Sequence, residues 1–323
     1  MKAAFIQQTG AAETIEVGEL PQPKPGPTDV VVKVEYAAVN HVDTFVRSGA
    51  YATQLNFPFP IGRDLAGTVV ESAVEEFEPG QRVWSNSMGY DARSGSFAEY
   101  VAVPRERLFP VPEEVDDTRQ IVAASHGFST AFLALQRFGR IYPGETVLIG
   151  GAAGAVGSAG VQLAALAGAR VVATASEGDF DYVRQLGAAE VIDYHRKDLF
   201  EALKAVAPDG YDHWWDNGGN HDFERILPLL APRGEIILSA NMAARPELPV
   251  GATYTRAVTV RGFAMSVATG DDLAEAARTL NTLMAQGRLK SRWEKVFSLD
   301  DAAAAHAAQE SGSVHGKILV KVS

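Results

Sequence analysis

The chain of 323 residues contains no cysteine. That absence excludes disulfides, thiolate nucleophiles, iron–sulfur clusters and cysteine-ligated zinc. Positive charge is also scarce: 29 Lys and Arg stand against 40 Asp and Glu, a formal net charge of −11, and no basic stripe is clustered anywhere. Such a surface suits neither nucleic acid nor an anionic membrane. No apolar run approaches the length of a membrane span, and MKAAFIQQTG at the N-terminus reads as a strand rather than a signal peptide. A cytoplasmic protein is the expectation. Repeats and low-complexity tracts are absent as well. What remains is ordinary globular composition with 46% hydrophobic residues, in a chain long enough to suggest two domains.

The first stretch is strand-rich, with predicted strands at 3–7, 14–19 and 30–37, and the Pro-rich LPQPKPGPTD reads as a surface crossing between them. Glycine-punctuated blocks follow at GRDLAGTVVE, EPGQRVW and GSFAEYVAV, which suggests a compact, largely β domain. From Asp117 the pattern turns helical (120–135), and a βαβ series then begins. Its strands are predicted at 146–149, 170–174, 190–193, 211–216, 235–239 and 258–263, with helices near 155–167, 180–186, 199–206 and 222–230. Six strands alternating with helices describe a doubly wound parallel sheet, making the chain α/β. The tail reads as a helix at 271–286, a strand at 293–297, an Ala-rich helix at 299–309 and a strand at 317–322. These last pieces are expected to return to the first domain. The predicted division is 1–120 with 266–323, and 121–265.

The most informative segment is TVLIGGAAGAVGSAGVQLAALAG, residues 146–168. An apolar β run feeds a small-residue turn that opens straight into an apolar helix. Such a turn lets backbone N–H groups and a helix N-terminus approach a pyrophosphate. Ala152 replaces the first glycine of G-x-G-x-x-G, but the strand before and the helix after supply the context. Ala153, Gly154, Ala155, Val156 and Gly157 are therefore candidate dinucleotide-binding positions. In an open parallel sheet, ligands collect at the carboxyl ends of the strands. Ser239, Ala240, Asn241 and Met242 follow the predicted fifth strand, and Phe263, Ala264 and Met265 follow the sixth. Both segments are expected to line the dinucleotide site.

Six segments together resemble one family: AAVNHVDTFVRSGAY, FPIGRDLAGTVVE, GSFAEYVAVP, GGAAGAVG, RQLGAAEVIDY and HGKILVKV. The chain resembles, over essentially its whole length, the zinc-free quinone oxidoreductases (zeta-crystallin-like) of the medium-chain dehydrogenase/reductase superfamily. The resemblance implies a GroES-like β-rich catalytic domain beside a six-stranded Rossmann domain, with the nicotinamide in the cleft between them. It implies reduction of a quinone or an α,β-unsaturated carbonyl by NADPH, and a homodimer paired through the edge strand near 258–263. Zinc-dependent relatives carry a Cys ligand where Asn40 stands and a His–Glu pair where Arg63–Asp64 stand. No metal site is expected, and alcohol oxidation loses its Lewis acid. The spacing of His213, Asp216 and His221 does not form one coordinating face.

Several positions keep two readings. Asn40 either hydrogen-bonds an acceptor oxygen, as the resemblance implies, or caps local backbone. His41 either relays a proton or is structural; Asp43 reads as orienting the loop. Tyr51 resembles a cleft tyrosine but suits plain packing equally. Phe45 stands where relatives often have Tyr, so a hydroxyl is missing there. Thr130 resembles a threonine that approaches the nicotinamide carboxamide, and Asn217 one that contacts the cofactor after the fourth strand.

For the choice of dinucleotide, Thr174-Ala175-Ser176 has no carboxylate at the strand end, which favours NADPH. Ser176, Tyr194 and Arg196 are the residues expected beside the 2′-phosphate. Relatives usually carry Lys where Asp179 stands, so NADH use is open. Two other readings compete: a metal-free NADP-dependent alcohol dehydrogenase, and a non-catalytic NADPH-binding protein of the crystallin type.

Overall fold

The chain folds as two units, Met1–His126 with Thr269–Ser323, and Gly127–Ala268; the computed structural model describes every residue from Met1 to Ser323. In chain order the first unit begins with strands β1 (Lys2–Ile6), β2 (Glu16–Glu19), β3 (Asp29–Val39) and β4 (Phe59–Pro60). It continues with β5 (Asp64–Ser72), β6 (Arg82–Ser85), β7 (Tyr100–Pro104) and β8 (Phe109–Pro110). The second unit holds β9 (Thr146–Gly150), β10 (Arg170–Ala175), β11 (Glu190–Asp193), β12 (Tyr211–Asp216), β13 (Leu230–Leu238) and β14 (Thr259–Gly262). The tail adds β15 (Trp293–Ser298) and β16 (Lys317–Lys321) to the first unit.

In the first unit β2, β1 and β4 form a small sheet, and a larger one runs β15-β16-β3-β5-β6-β8 with β7 on β3. Val30, Val32 and Val34 of β3 bury alternate positions against Leu65, Val83, Phe97, Ile318 and Val320. Each such fully buried side chain contributes on the order of 1.5–3 kcal/mol. The tail enters by antiparallel pairing of β16 with β3, Ile318 opposite Val39. This register sets Lys317 beside the residue that follows β3, which is Asn40.

In the second unit the order is β11-β10-β9-β12-β13-β14, every neighbouring pair parallel. This is a doubly wound Rossmann sheet, and its strand order reverses beside β9. Val147, Ile149, Val171, Ala173, Trp215 and Ile237 are buried almost without interruption, as strands covered on both faces require.

Three elements differ from the sequence reading. The helix expected at 120–135 is Thr118–Phe132, continued by a π turn Leu133–Phe138. Pro228 stops the helix expected at 222–230: only Phe223–Ile226 is α-helical, and a 3-10 turn Leu227–Leu229 follows. That early stop lets β13 start at Leu230, five residues before the predicted strand.

Candidate functional site

The turn after β9 is built by backbone geometry. Gly151 takes φ +63°, and a Cβ on Gly157 would sit 2.2 Å from the Gly151 carbonyl oxygen. Only glycine fits those two positions. The positive-φ turn therefore falls one residue before Ala152, which is why alanine is tolerated there. Ala152 N–H donates to the Thr174 carbonyl at 3.0 Å, tying the turn to the end of β10. Gly154 caps the helix Ala155–Leu166, whose first N–H groups carry partial positive charge. At this helix N-terminus Ala153, Gly154, Ala155 and Val156 are at least partly exposed, and Gly157 is buried behind them.

The carboxyl ends of the parallel strands bring most other expected residues together. Asn217 hydrogen-bonds the Gly150 carbonyl through both its backbone N–H and Nδ2, each at 3.2 Å. Ser239 Oγ accepts from Trp215 Nε1 at 2.8 Å, and Asn241 Nδ2 donates to the Gly219 carbonyl at 3.1 Å. The Ala240 carbonyl lies 3.0 Å from His221 Nε2, while Met242 is exposed. Phe263 N–H donates to Leu238 and its ring packs on Phe138 at 5.8 Å. Ala264 caps the short turn Met265–Val267, and Thr130 Oγ1 reaches the buried Met265 Sδ at 3.7 Å. His213, Asp216 and His221 take separate partners: Glu145, the Gly218 N–H and Ala240.

The groups expected beside a 2′-phosphate form local pairs. Ser176 Oγ donates to the Asp179 carboxylate at 3.0 Å, and Arg196 pairs with Asp198 through Nε at 3.0 Å and Nη2 at 2.7 Å. Tyr194 is exposed, and its ring lies tilted against that of His195 with centroids 4.1 Å apart.

In the first unit the helix His41–Ser48 starts at Asn40. The Asp43 carboxylate accepts the Asn40 backbone N–H at 2.8 Å, so Asn40 is a helix cap. Its side chain does more. Nδ2 donates to Asp43 at 3.1 Å and to Asp64 at 3.0 Å, and Oδ1 accepts from Lys317 Nζ. With both amide hydrogens given to carboxylates, Asn40 holds an internal network and has none left for an acceptor oxygen. Asp64 also meets His126 Nδ1 at 3.3 Å and Lys317 Nζ at 3.6 Å. Burial pushes the Asp64 carboxyl up, but His126 and Lys317 outweigh it and hold it below the usual carboxylate range. Asp43 goes the other way: burial, then the charge of Asp64, push it up to about 7. His41 keeps an exposed side chain with Gln309 Nε2 3.2 Å from its ring nitrogens. Desolvation, with Lys317 adding to it, holds its ring below the ordinary imidazole value.

Tyr51 packs against Tyr90 at 6.0 Å between ring centroids, and its backbone N–H donates to the carbonyl of the exposed Phe45. Sequence reasoning missed His126, Lys317 and Tyr90. Lys317 lies in HGKILVKV, but no local pattern marks a lysine as buried beside Asn40.

Residues 26–113 match the alcohol dehydrogenase GroES-like domain and residues 186–320 the zinc-binding dehydrogenase family. The quinone oxidoreductase of Sus scrofa is 31% identical over 311 residues, covering 95% of this chain and 93% of that protein. The chain belongs to the quinone oxidoreductase family of the medium-chain dehydrogenase/reductases. Its fold, a GroES-like β domain with a six-stranded Rossmann domain, is that family's. An NAD-dependent alcohol dehydrogenase is 30% identical, each chain fully covered, with a TM-score of 0.87. A mycobacterial protein complexed with NADPH is 26% identical with a TM-score of 0.87, 99% of each chain covered. Family membership makes this chain an oxidoreductase that uses a nicotinamide dinucleotide.

Proposed function

We propose that the protein is a zinc-independent reductase that uses NADPH to pass hydride to a quinone or an α,β-unsaturated carbonyl. The observation that carries this reading is the donor set around Asn40. Arg63 and Lys317 share the buried space with Asp43 and Asp64. Two fixed cations beside the carboxylates repel a divalent ion, and an amide stands where a thiolate ligand is found in zinc-dependent relatives. Without a Lewis acid, an electron-poor acceptor is the fitting substrate.

The turn 153–157, Asn217, Ser239, Asn241, Phe263 and Met265 would hold the dinucleotide, which when bound supplies the hydride and leaves oxidised. An unsaturated carbonyl gains that hydride at its β-carbon and one proton at its α-carbon; a quinone gains one hydride and one proton to give a hydroquinone. Tyr51 would donate a hydrogen bond to the acceptor oxygen, and His41, with its exposed ring, would exchange the proton with solvent. Asn40 acts as a positioning residue, keeping Asp43, Asp64 and Lys317 in one arrangement.

NADPH is supported by the absence of a carboxylate within Thr174-Ala175-Ser176. NADH is the second reading, favoured by the Asp179 carboxylate on the Ser176 hydroxyl. We further propose a homodimer joined through the open edge of β14, which pairs only with β13. A monomeric mass by light scattering would remove that assignment.

Steady-state oxidation of NADPH and NADH against ortho-quinones, 2-alkenals and 2-cyclohexenone tests the reading. Turnover with one or more of these acceptors is expected. Oxidation of simple alcohols alone would point to the dehydrogenase reading, and tight dinucleotide binding without any turnover to the non-catalytic one.

A further inference from the structure

Arg63 is 1% exposed, yet its guanidinium is poorly matched. Its Nε and Nη2 hydrogens reach no acceptor. The nearest carboxylate oxygen to Nε, Asp43 Oδ1, is 3.9 Å away, beyond hydrogen-bond reach. Its other neighbour is the face of Tyr90, whose ring centroid lies 5.2 Å from Cζ. A second guanidinium sits on the same ring, Arg93 Cζ at 5.9 Å. Arg93 donates from Nε to the Ser87 carbonyl at 3.3 Å and stands 3.9 Å from Asp91, so it too lacks a hydrogen-bonded carboxylate.

The acids nearby face other partners. Asp43 Oδ2 accepts the Asn40 backbone N–H and side-chain amide, and Asp64 Oδ2 accepts from Asn40, with Lys317 Nζ at 3.6 Å and His126 Nδ1 at 3.3 Å from the carboxylate. Two like charges around one ring, each short of an anionic acceptor, are unfavourable as they stand. An anion arriving there meets a planar fork that matches a carboxylate bidentately.

We propose that Arg63 and Arg93, set about Tyr90, recognise a carboxylate on the substrate, so that the favoured acceptors are anionic enones or quinones. This rests on the reductase reading above and narrows its substrate class. Tyr90 covers Arg63 and stands between Gly89 (φ +63°) and Asp91 (φ +54°), a turn held in the left-handed region. Displacement of its ring opens Arg63 to the carboxylate. Tyr51, packed on Tyr90, then faces the same ligand.

The test compares 4-oxopent-2-enoate with its methyl ester, and the saturated 4-oxopentanoate with its ester. Wild-type kcat/KM should favour the acid over the ester by about 30- to 100-fold, the scale of a charged bidentate contact. Arg63→Met should bring that ratio near one, Arg63→Lys should restore part of it, and Arg93→Met should lower it less. Calorimetry on the full chain with bound dinucleotide should show 4-oxopentanoate binding more tightly than its ester, and this preference should vanish in Arg63→Met. Equal or better turnover of the ester by the wild type overturns the proposal, whether or not Arg63→Met folds. So does an Arg63→Met variant that loses acid and ester alike, or loses NADPH affinity instead, since the guanidinium would then serve the fold or a cofactor phosphate. If neither enone nor any quinone, alkenal or cyclohexenone acceptor is reduced, the reductase reading fails, and the binding preference for acid over ester still decides the carboxylate site.

Discussion

Arg63 Nε and Asp43 Oδ1 lie 3.9 Å apart with both side chains 1% exposed: opposite charges buried together without a hydrogen bond between them. Asp64, the next residue, accepts from Asn40 at 3.0 Å and lies 3.3 Å from His126 Nδ1 and 3.6 Å from Lys317 Nζ. Two neighbouring acids therefore live in contrasting electrostatic settings, and their amide variants should behave differently.

Asp64→Asn should be severe. It removes the acid that Lys317 and Asn40 share and leaves a buried ammonium uncompensated, a loss of about 3–5 kcal/mol. Urea unfolding at neutral pH measures it. A loss below about 1 kcal/mol would mean that the network is not held by Asp64.

Asp43→Asn should be mild at neutral pH, because a carboxyl pushed up to about 7 is already half protonated there. The sign follows from linkage. The native state holds the Asp43 proton more tightly than the unfolded chain, with its value of 3.8. Stability therefore falls as pH rises between about 4 and 7, with a slope of up to ~1.4 kcal/mol per pH unit. Unfolding midpoints across that window should flatten in the variant relative to the wild type.

His306 has the opposite slope. It is fully buried, edge-on to Phe97 at 5.8 Å, with neither ring nitrogen hydrogen-bonded. Burial, with Arg47 adding to it, lowers its pKa from 6.5 to about 3. The unfolded chain then binds the proton more readily, so stability is lost as pH falls from about 6.5 towards 3. His306→Leu should retain more of its neutral-pH stability at pH 5 than the wild type does. An unchanged acid profile would mean that His306 does not carry this loss.

Glycines of the β9 turn should separate folding from binding. A Cβ on Gly157 meets the Gly151 carbonyl oxygen at 2.2 Å, whereas one on Gly154 meets nothing nearer than 3.4 Å. Gly157→Ala should lower both the melting temperature and dinucleotide affinity. Gly154→Ala should keep the melting temperature and lose affinity by about tenfold, because the added methyl group sits at the helix N-terminus where a pyrophosphate approaches. Thermal melts with and without dinucleotide read both quantities.

Asp179→Ser should raise the preference for NADPH over NADH. It removes a carboxylate hydrogen-bonded to the Ser176 hydroxyl at the end of β10. A partly exposed like-charge contact is worth ~1 kcal/mol, about fivefold in the ratio of dissociation constants. An unchanged ratio, measured by fluorescence titration, would show that Asp179 does not face the ribose.

The strand, glycine turn and helix of residues 146–168 were legible in the amino-acid order, because each feature arises within a few residues: a continuous apolar β run, small residues where the backbone must bend, an apolar helix pattern. The βαβ alternation that followed had the same local origin. So did the exclusion of cysteine-ligated metal, which needs only a count. The limits of local reading show at Pro228, where the helix ends early, and at Leu230, where β13 begins early.

The partners of Asn40 could not be read this way. Lys317 is 277 residues distant in sequence and arrives only because β16 pairs with β3. That pairing turns a capping asparagine, plausible from its position alone, into the hub of a buried charge network. Tyr90 over Arg63 was likewise decided by packing. Sequence determined the elements and the dinucleotide turn through short-range geometry; tertiary structure decided which charges are buried together, because burial and charge pairing join residues that no local pattern connects.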